Sequence, residues 1–337
     1  MNTTKWRWLS DQVISQLQAG VQFPDLTDTR YRAVRFLARG GMGTVWLAED
    51  TVLGRTVALK VLEVDLGAGE WMARLLREAM VLAQLEHPGI VPVHDAGTLP
   101  DGKSFYCMKF VQGQTLDQNL PATLSERLRL LQRVAEPLAF AHSRGIIHRD
   151  LKPANIMVGP FGEVLIMDWG LAKIANEALR RSGPSTATTQ ERDAAKEPPP
   201  SAVPVTGHGK ILGTPGYMAP EQERGDSDQT DERADVYALG AILKFMLAGD
   251  QSKKESNLNP LFAICGKAMA AQPGERYLSV QELSDDVEKY LRGDPITAYR
   301  EDVIERTLRL YARHRTAVVL VVAYLIMRVL FILFSRR

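Results

Sequence analysis

The sequence predicts an α+β chain with a β-rich N-terminal lobe, a helical C-terminal lobe and one C-terminal transmembrane helix. Three observations lead to this prediction. Short strand-like runs separated by turn residues fill the chain up to about residue 111. Helical patterns dominate the part that follows, up to about residue 292. Residues 316–334 then form an apolar run of about the length that spans a bilayer.

Composition narrows the classes of function. The 337 residues suffice for two lobes and little more. The 41 basic and 40 acidic residues give a net charge of +1, so we expect no nucleic-acid partner. The two cysteines, Cys107 and Cys265, lie far apart and predict buried thiols in a reducing compartment. The N-terminus lacks the apolar stretch of a signal peptide.

The N-terminal lobe is predicted from five strand-like runs over residues 31–111. An extension at 1–30 precedes them and contains a short amphipathic helix that we expect to pack on this lobe. A helical run around Glu78 interrupts the strands. In order, the strand-like runs are YRAVRFLA, TVWLAED, TVALKVLE, IVPVHDAG and SFYCMKFV.

The C-terminal lobe is predicted over residues 112–292. The run LSERLRLLQRVAEPLAFAHSRG has the pattern of one long helix with a buried face. Residues 176–209 are rich in Ser, Thr, Ala, Pro and charge, and cannot bury enough apolar surface to order themselves. We therefore expect a disordered insert there.

The most informative motif is the run HRDLKPAN, which contains Asp150 and Asn155. The sequence DWG follows, with Asp168. One carboxylate can orient a hydroxyl, while an amide and a second carboxylate can hold Mg²⁺. This set of groups is typical of phosphoryl transfer.

Further motifs follow the order found in protein kinases, which the chain resembles over about residues 31–292. They are ARGGMGTV, VALK, the helical run with Glu78, GTPGYMAPE, DVYALG and PGERY. So many ordered motifs are a far more specific signal than a lone glycine-rich loop. The resemblance implies a bilobal protein kinase fold, with the insert at 176–209 inside the activation segment. GGMGTV and DWGLAK resemble the eukaryotic-like serine/threonine kinases of bacteria.

The resemblance also implies the site residues. Asp150 would accept a hydrogen bond from the substrate hydroxyl, and Lys152 would steady the transferred phosphate. Lys60 would hold the ATP phosphates and Glu78 would hold Lys60, while Asn155 and Asp168 would bind Mg²⁺ or Mn²⁺. The full set implied for ATP is Ala38, Gly40, Gly41, Gly43, Val45, Ala58, Lys60, Met108, Val111, Asn155 and Asp168.

Each of these residues also has a plainer interpretation, because a single Lys or Asp is usually a solvated surface charge. Lys60 ends an apolar run and Asp168 follows another, so both charges should be buried and need partners. In the family Asp235 is a structural acceptor, and Glu221 pairs with Arg276. His142 is expected to be a packing or surface residue, and His148 a packed residue. The short stretch after residue 250 suggests that the family's helix G is missing.

The apolar run at 316–334 predicts a single-pass C-terminal anchor. About 13 Leu, Ile, Val and Phe residues outweigh the roughly 2.5–3.5 kcal/mol cost of Arg328. A basic juxtamembrane segment at 293–315 precedes the run, so the kinase domain should be cytoplasmic. The alternative is a helix buried in a protein core.

These observations predict a membrane-anchored serine/threonine protein kinase that uses ATP and Mg²⁺. Its expected partners are protein substrates and, through the C-terminal helix, membrane lipid. A homodimer that phosphorylates in trans is a further hypothesis. One rival is a pseudokinase scaffold that binds nucleotide, suggested by Ala38 and by the shortened helix G region. A second rival is a kinase that acts on a small molecule. The segment GTPGYMAPE argues against it, because it resembles the segment on which protein kinases bind peptide substrates.

Overall fold

The computed structural model describes residues 23–40, 43–62, 85–169, 216–225, 230–248 and 258–302, with 306–307, 319–321, 323–328 and 331. Several predictions lie outside these residues. They concern most of the N-terminal extension, Gly41, Glu78 with its helix, the insert at 176–209 and the short stretch after residue 250 from which helix G is predicted to be missing.

The N-terminal lobe is built on a five-stranded antiparallel sheet in the order β1-β2-β3-β5-β4, as the sequence predicts. Its strands are β1 (Tyr31–Gly40), β2 (Gly43–Asp50), β3 (Arg55–Leu62), β4 (Val93–Thr98) and β5 (Ser104–Lys109).

Strand alternation sorts the side chains of β3 between two faces of this sheet. Val57 and Leu59 belong to a core cluster with Trp46 on one face. Ala58 belongs to a second cluster on the other face, and Lys60 shares that face by its spacing of two. Strand β3 continues to Leu62, so Lys60 lies inside the strand and not at its end as predicted.

The C-terminal lobe is mostly helical. Its described helices are α1 (Leu124–His142), α2 (Pro220–Arg224), α3 (Arg233–Ala248), α4 (Asn259–Ala268) and α5 (Val280–Arg292). Helix α1 confirms the long helix expected from the sequence, and it starts at a capping box between Thr123 and Glu126. Helices α1, α3, α4 and α5 share one apolar core.

A small antiparallel sheet carries the catalytic segments of the C-terminal lobe. It comprises β6 (Gln114–Thr115), β7 (Ile156–Val158) and β8 (Val164–Ile166). The backbone of Ile166 joins this sheet to the segment before β4. The Ile166 amide donates to the Gly89 carbonyl at 2.9 Å, and the Ile166 carbonyl accepts from the Val91 amide at 3.1 Å. The residues that follow β8 therefore start at the boundary between the lobes.

Within the described part of the chain, no helix combines the length and the apolar character needed to cross a membrane.

Candidate active site

The glycine-rich turn joins β1 to β2, where Ala38 pairs with Val45 and Gly40 pairs with Gly43. Gly43 has a φ of +155°, and a Cβ there would lie 2.0 Å from the Val61 carbonyl oxygen. The fold itself therefore requires glycine at this position. A Cβ on Gly40 would meet no described atom within 4 Å, so packing gives no reason for that glycine.

An apolar cluster lies below this turn. It brings together four of the residues predicted to bind ATP, which come from β2, β3, β5 and the segment after β5. The four residues are Val45, Ala58, Met108 and Val111. Three residues of the C-terminal lobe that the sequence does not single out also belong to the cluster, namely Met157, Leu165 and Met167. Such a surface between two lobes suits a flat aromatic ring.

Lys60 and Asp168 meet across the lobes although 108 residues separate them. The Lys60 Nζ donates to Asp168 Oδ1 at 2.7 Å. The Tyr106 hydroxyl donates to the same oxygen at 3.2 Å. The Lys60 side chain is 11% exposed and that of Asp168 is 34% exposed, so the pair is shielded on one side and accessible on the other.

The electrostatics of this pair keep Asp168 ionised. Burial raises the pKa of the Asp168 carboxyl. The charge and hydrogen bond of Lys60 and the hydrogen bond from Tyr106 lower this pKa by more, so it lies below its usual value. Asp168 also has a φ of +55°, a conformation that costs energy in a non-glycine residue. Strain of this kind concentrates at functional sites.

The loop formed by HRDLKPAN, residues 148–155, is named the catalytic loop after its motif, and it groups Asp150, Lys152 and Asn155. The Lys152 Nζ donates to Asp150 Oδ2 at 3.0 Å. The Asn155 Nδ2 donates to the Asp150 carbonyl at 2.8 Å and lies 3.3 Å from Asp150 Oδ2. The Asn155 carbonyl accepts from the Met167 amide at 2.9 Å, which ties this loop to the residue before Asp168.

Asp235 holds the catalytic loop from below. Its carboxylate accepts from the backbone amides of His148 at 2.8 Å and Arg149 at 2.9 Å. Arg149 has a φ of +66°, so these bonds stabilise a strained turn. Burial raises the pKa of Asp235, but the hydrogen bond and charge of His142 and the contacts of His148 bring it below its usual value. This arrangement agrees with the predicted structural role of Asp235.

His148 connects the loop to the segment after β8. It is fully buried, with Nε2 3.0 Å from the Met167 carbonyl and Nδ1 accepting from the Asp150 amide at 3.3 Å. Its ring lies 4.9 Å from that of Trp169. Burial lowers the pKa of His148, so the neutral ring donates from Nε2. The prediction of a packed residue is confirmed.

The predicted pair of Glu221 and Arg276 is confirmed. The guanidinium donates to both carboxylate oxygens, each at 2.7 Å. Both residues are buried, and the pair anchors α2 to the segment after α4. The neighbouring Gln222 donates from Nε2 to the Arg149 carbonyl at 3.1 Å, so α2 also contacts the catalytic loop.

The donor set at Asn155 and Asp168 fits a magnesium-type cation. Amide and carboxylate oxygens are the ligands that Mg²⁺ prefers, and the ion is usually held by one or two protein groups together with phosphates. The Asn155 nitrogen is engaged by Asp150, so its oxygen is left to face another group. Among the described residues no three His, Cys, Asp or Glu side chains cluster as a metal site.

Three contacts at this site have no counterpart in the sequence predictions. Tyr106 is predicted only as a strand residue, Gln222 has no predicted role, and His142 is predicted to be a packing or surface residue. His142 is in fact a partner of Asp235, with Nε2 2.8 Å from its carboxylate. Gly41 and Glu78 lie outside the described residues, so their predicted roles stay predictions.

Comparison with known proteins gives a consistent result. The model of the family described as the protein kinase domain matches residues 31–318. The serine/threonine-protein kinase PknD of Chlamydia felis is 37% identical and covers 79% of this chain. PknD of Chlamydia trachomatis serovar D is 36% identical with the same coverage. The chain spans 31% and 32% of the length of these two relatives.

Solved structures support the same fold. Two crystal structures of the Mycobacterium tuberculosis PknI kinase domain each align with a TM-score of 0.56. They are 27% and 28% identical to this chain, of which they cover 78% and 80%. The alignments take in 96% and 98% of the mycobacterial chains, so the similarity extends over a whole catalytic domain.

Proposed function

Because this chain belongs to the protein kinase domain family, we propose that it transfers the γ-phosphoryl group of ATP to serine and threonine hydroxyls of proteins. One observation carries the proposal most directly. The backbone bond of 2.9 Å between Met167 and Asn155 holds the Asp150 loop beside the Lys60–Asp168 pair. This bond supports the proposal, because it ties the loop that carries the predicted hydroxyl-orienting group to the groups predicted to bind phosphate.

Each residue of the site has its own role in ATP binding or phosphoryl transfer. Val45, Ala58, Met108 and Val111 enclose the adenine, and Lys60 neutralises phosphate oxygens. Asp150 accepts the hydrogen bond of the substrate hydroxyl, and Lys152 balances charge on the transferred group. Asn155 and Asp168 would hold Mg²⁺ or Mn²⁺, which when bound neutralises charge on the phosphates.

The alternative of a pseudokinase scaffold is not favoured. Lys60, Asp150, Asn155 and Asp168 are all present. Direct hydrogen bonds join Lys60 to Asp168 and Asn155 to Asp150, and the Met167 backbone links the two pairs. The names of the chlamydial relatives, serine/threonine-protein kinase, support the choice of hydroxyl.

Autophosphorylation of the full chain with labelled ATP tests the reaction. Asp168→Ala should abolish the metal-dependent incorporation of label, and Lys60→Met should lower it at least about a hundredfold, because each removes a charge that faces phosphate. Wild-type incorporation by either variant would refute the assigned roles.

We propose further that the run 316–334 anchors the chain in a membrane with the kinase domain in the cytoplasm. Its apolar composition and the high exposure of its described side chains, such as Leu320 at 70% and Phe331 at 73%, support this. Five arginines lie between residues 300 and 315, and two follow the run, which favours an inward-facing kinase domain.

Membrane fractionation with an alkaline carbonate wash tests the anchor. The full chain should stay in the pellet, and Arg328→Leu should insert at least as well because it removes a charge from the apolar run. Recovery of the full chain in the supernatant would refute the anchor and leave the kinase assignment intact. Anchored neighbours would be concentrated relative to one another, which supports phosphorylation in trans within a homodimer.

A further inference from the structure

We propose that Tyr106 is a positioning residue that fixes the carboxylate of Asp168 for binding of the metal–nucleotide complex. This inference rests on the proposed kinase function. The Tyr106 hydroxyl donates to Asp168 Oδ1 at 3.2 Å, and Lys60 donates to that same oxygen at 2.7 Å. Two donors from neighbouring strands therefore hold one carboxylate oxygen.

Strand pairing aims Tyr106 at this point. Tyr106 lies directly opposite Lys60 in the antiparallel register of β3 and β5, so both side chains leave the same face of the sheet. The Lys60 Nζ lies 5.8 Å from the centre of the Tyr106 ring. Both residues are buried and belong to the back of the cleft near Ala58 and Met108.

The hydroxyl has a function that packing does not explain. The ring fills an apolar cluster, and phenylalanine would fill nearly the same volume without needing a hydrogen-bond partner. A buried phenol must find an acceptor, and the one that the structure provides is Asp168.

Fixing Oδ1 determines which oxygen is left to bind. Asp168 has a strained backbone with a φ of +55°, so its side chain needs support to keep one orientation. With Oδ1 engaged by Lys60 and Tyr106, the other oxygen, Oδ2, is available to a ligand. Groups that hydrogen-bond to a ligating carboxylate orient it, and their loss typically weakens metal binding about 10–100-fold.

The test is binding of a non-hydrolysable ATP analogue to the full chain at increasing Mg²⁺, measured by calorimetry. Tyr106→Phe should raise the Mg²⁺ concentration for half-maximal binding about tenfold. Adenosine has no phosphates, so its affinity should equal that of wild type. Tyr31→Phe is the matched control, because its buried hydroxyl donates to Asp95 at 2.8 Å, away from Asp168.

Each outcome decides the inference. An unchanged Mg²⁺ requirement in Tyr106→Phe, or an equal shift in Tyr31→Phe, would overturn it. Loss of adenosine binding together with a lower melting temperature in Tyr106→Phe would also overturn it, since Tyr106 would then be structural only. Failure of wild type to bind the analogue in a Mg²⁺-dependent way would overturn the proposed function itself, and this inference with it.

Discussion

The Glu221–Arg276 pair provides the sharpest test of how the C-terminal lobe is held together. The two side chains are 4% and 0% exposed, and two bonds of 2.7 Å join them. Arg276 also donates to the carbonyls of Ala270 at 2.8 Å and Arg233 at 3.0 Å. The perturbation is a double-mutant cycle of Glu221→Met, Arg276→Met and both together.

The expected magnitudes follow from burial. Removing Arg276 alone leaves a buried carboxylate without its partner, which should cost about 3–5 kcal/mol. Removing Glu221 alone should cost a similar or smaller amount, because the guanidinium keeps its backbone acceptors. Replacing both residues by apolar side chains leaves no unpaired buried charge. The stability loss of the double variant should therefore be smaller than the sum of the two single losses by at least about 2 kcal/mol.

Urea unfolding followed by tryptophan fluorescence measures these differences, with thermal melting as a second observable. A loss of this size should lower the melting temperature by roughly 10 °C. Single variants within about 1 kcal/mol of wild type would refute the argument from burial. Strict additivity in the double variant would also refute it, because it would mean that the two charges do not interact.

Three further predictions follow from named contacts. Asp235→Asn weakens the hydrogen bonds to the backbone amides of His148 and Arg149. It should therefore lower the free energy of unfolding by about 1–3 kcal/mol and also slow phosphoryl transfer. Unchanged stability together with normal turnover would contradict this prediction. Gly43→Ala should destabilise the N-terminal lobe by at least about 1–3 kcal/mol because of its φ of +155° and the clash with Val61, whereas Gly40→Ala should melt like wild type. Burial raises the pKa of Asp286, but bonds from Thr297, Lys289 and Tyr277 lower it to about 2, below the usual 3.8. A carboxyl whose pKa is lower in the folded than in the unfolded state stabilises the fold at pH values above the unfolded pKa. This contribution, roughly 2 kcal/mol, should therefore disappear as the pH falls from about 4 to 2, and it should be missing in Asp286→Asn. An acid-unfolding profile of that variant identical to that of wild type would contradict the prediction.

Much of the fold and of the site could be predicted because strands, helices and motifs each have a recognisable local sequence pattern. Strand-like runs separated by turn residues predicted the five strands, and a helical pattern with a buried face predicted α1. Ordered motifs gave the residues that the structure joins by hydrogen bonds, such as Lys60 with Asp168. Recognising the motifs therefore predicts a contact between residues that lie 108 positions apart in the sequence.

The contacts that went unnoticed are side-chain bonds between distant segments. Tyr106 reads as an ordinary strand residue, and its bond to Asp168 depends on the register of β3 with β5. His142 ends a helix whose pattern explains its packing but not its bond to Asp235, 93 residues away. No local pattern in the sequence encodes the distance between such side chains.

The most direct measurement of the central claim is phosphoamino-acid analysis of the full chain after incubation with labelled ATP and Mg²⁺, comparing wild type with Asp150→Asn. Wild type should carry label on serine and threonine. In Asp150→Asn the incorporation of label should be lowered about 10²–10⁴-fold, while binding of the ATP analogue is retained. No label in wild type despite nucleotide binding, or equal label in Asp150→Asn, would contradict the claim that this chain is a serine/threonine kinase.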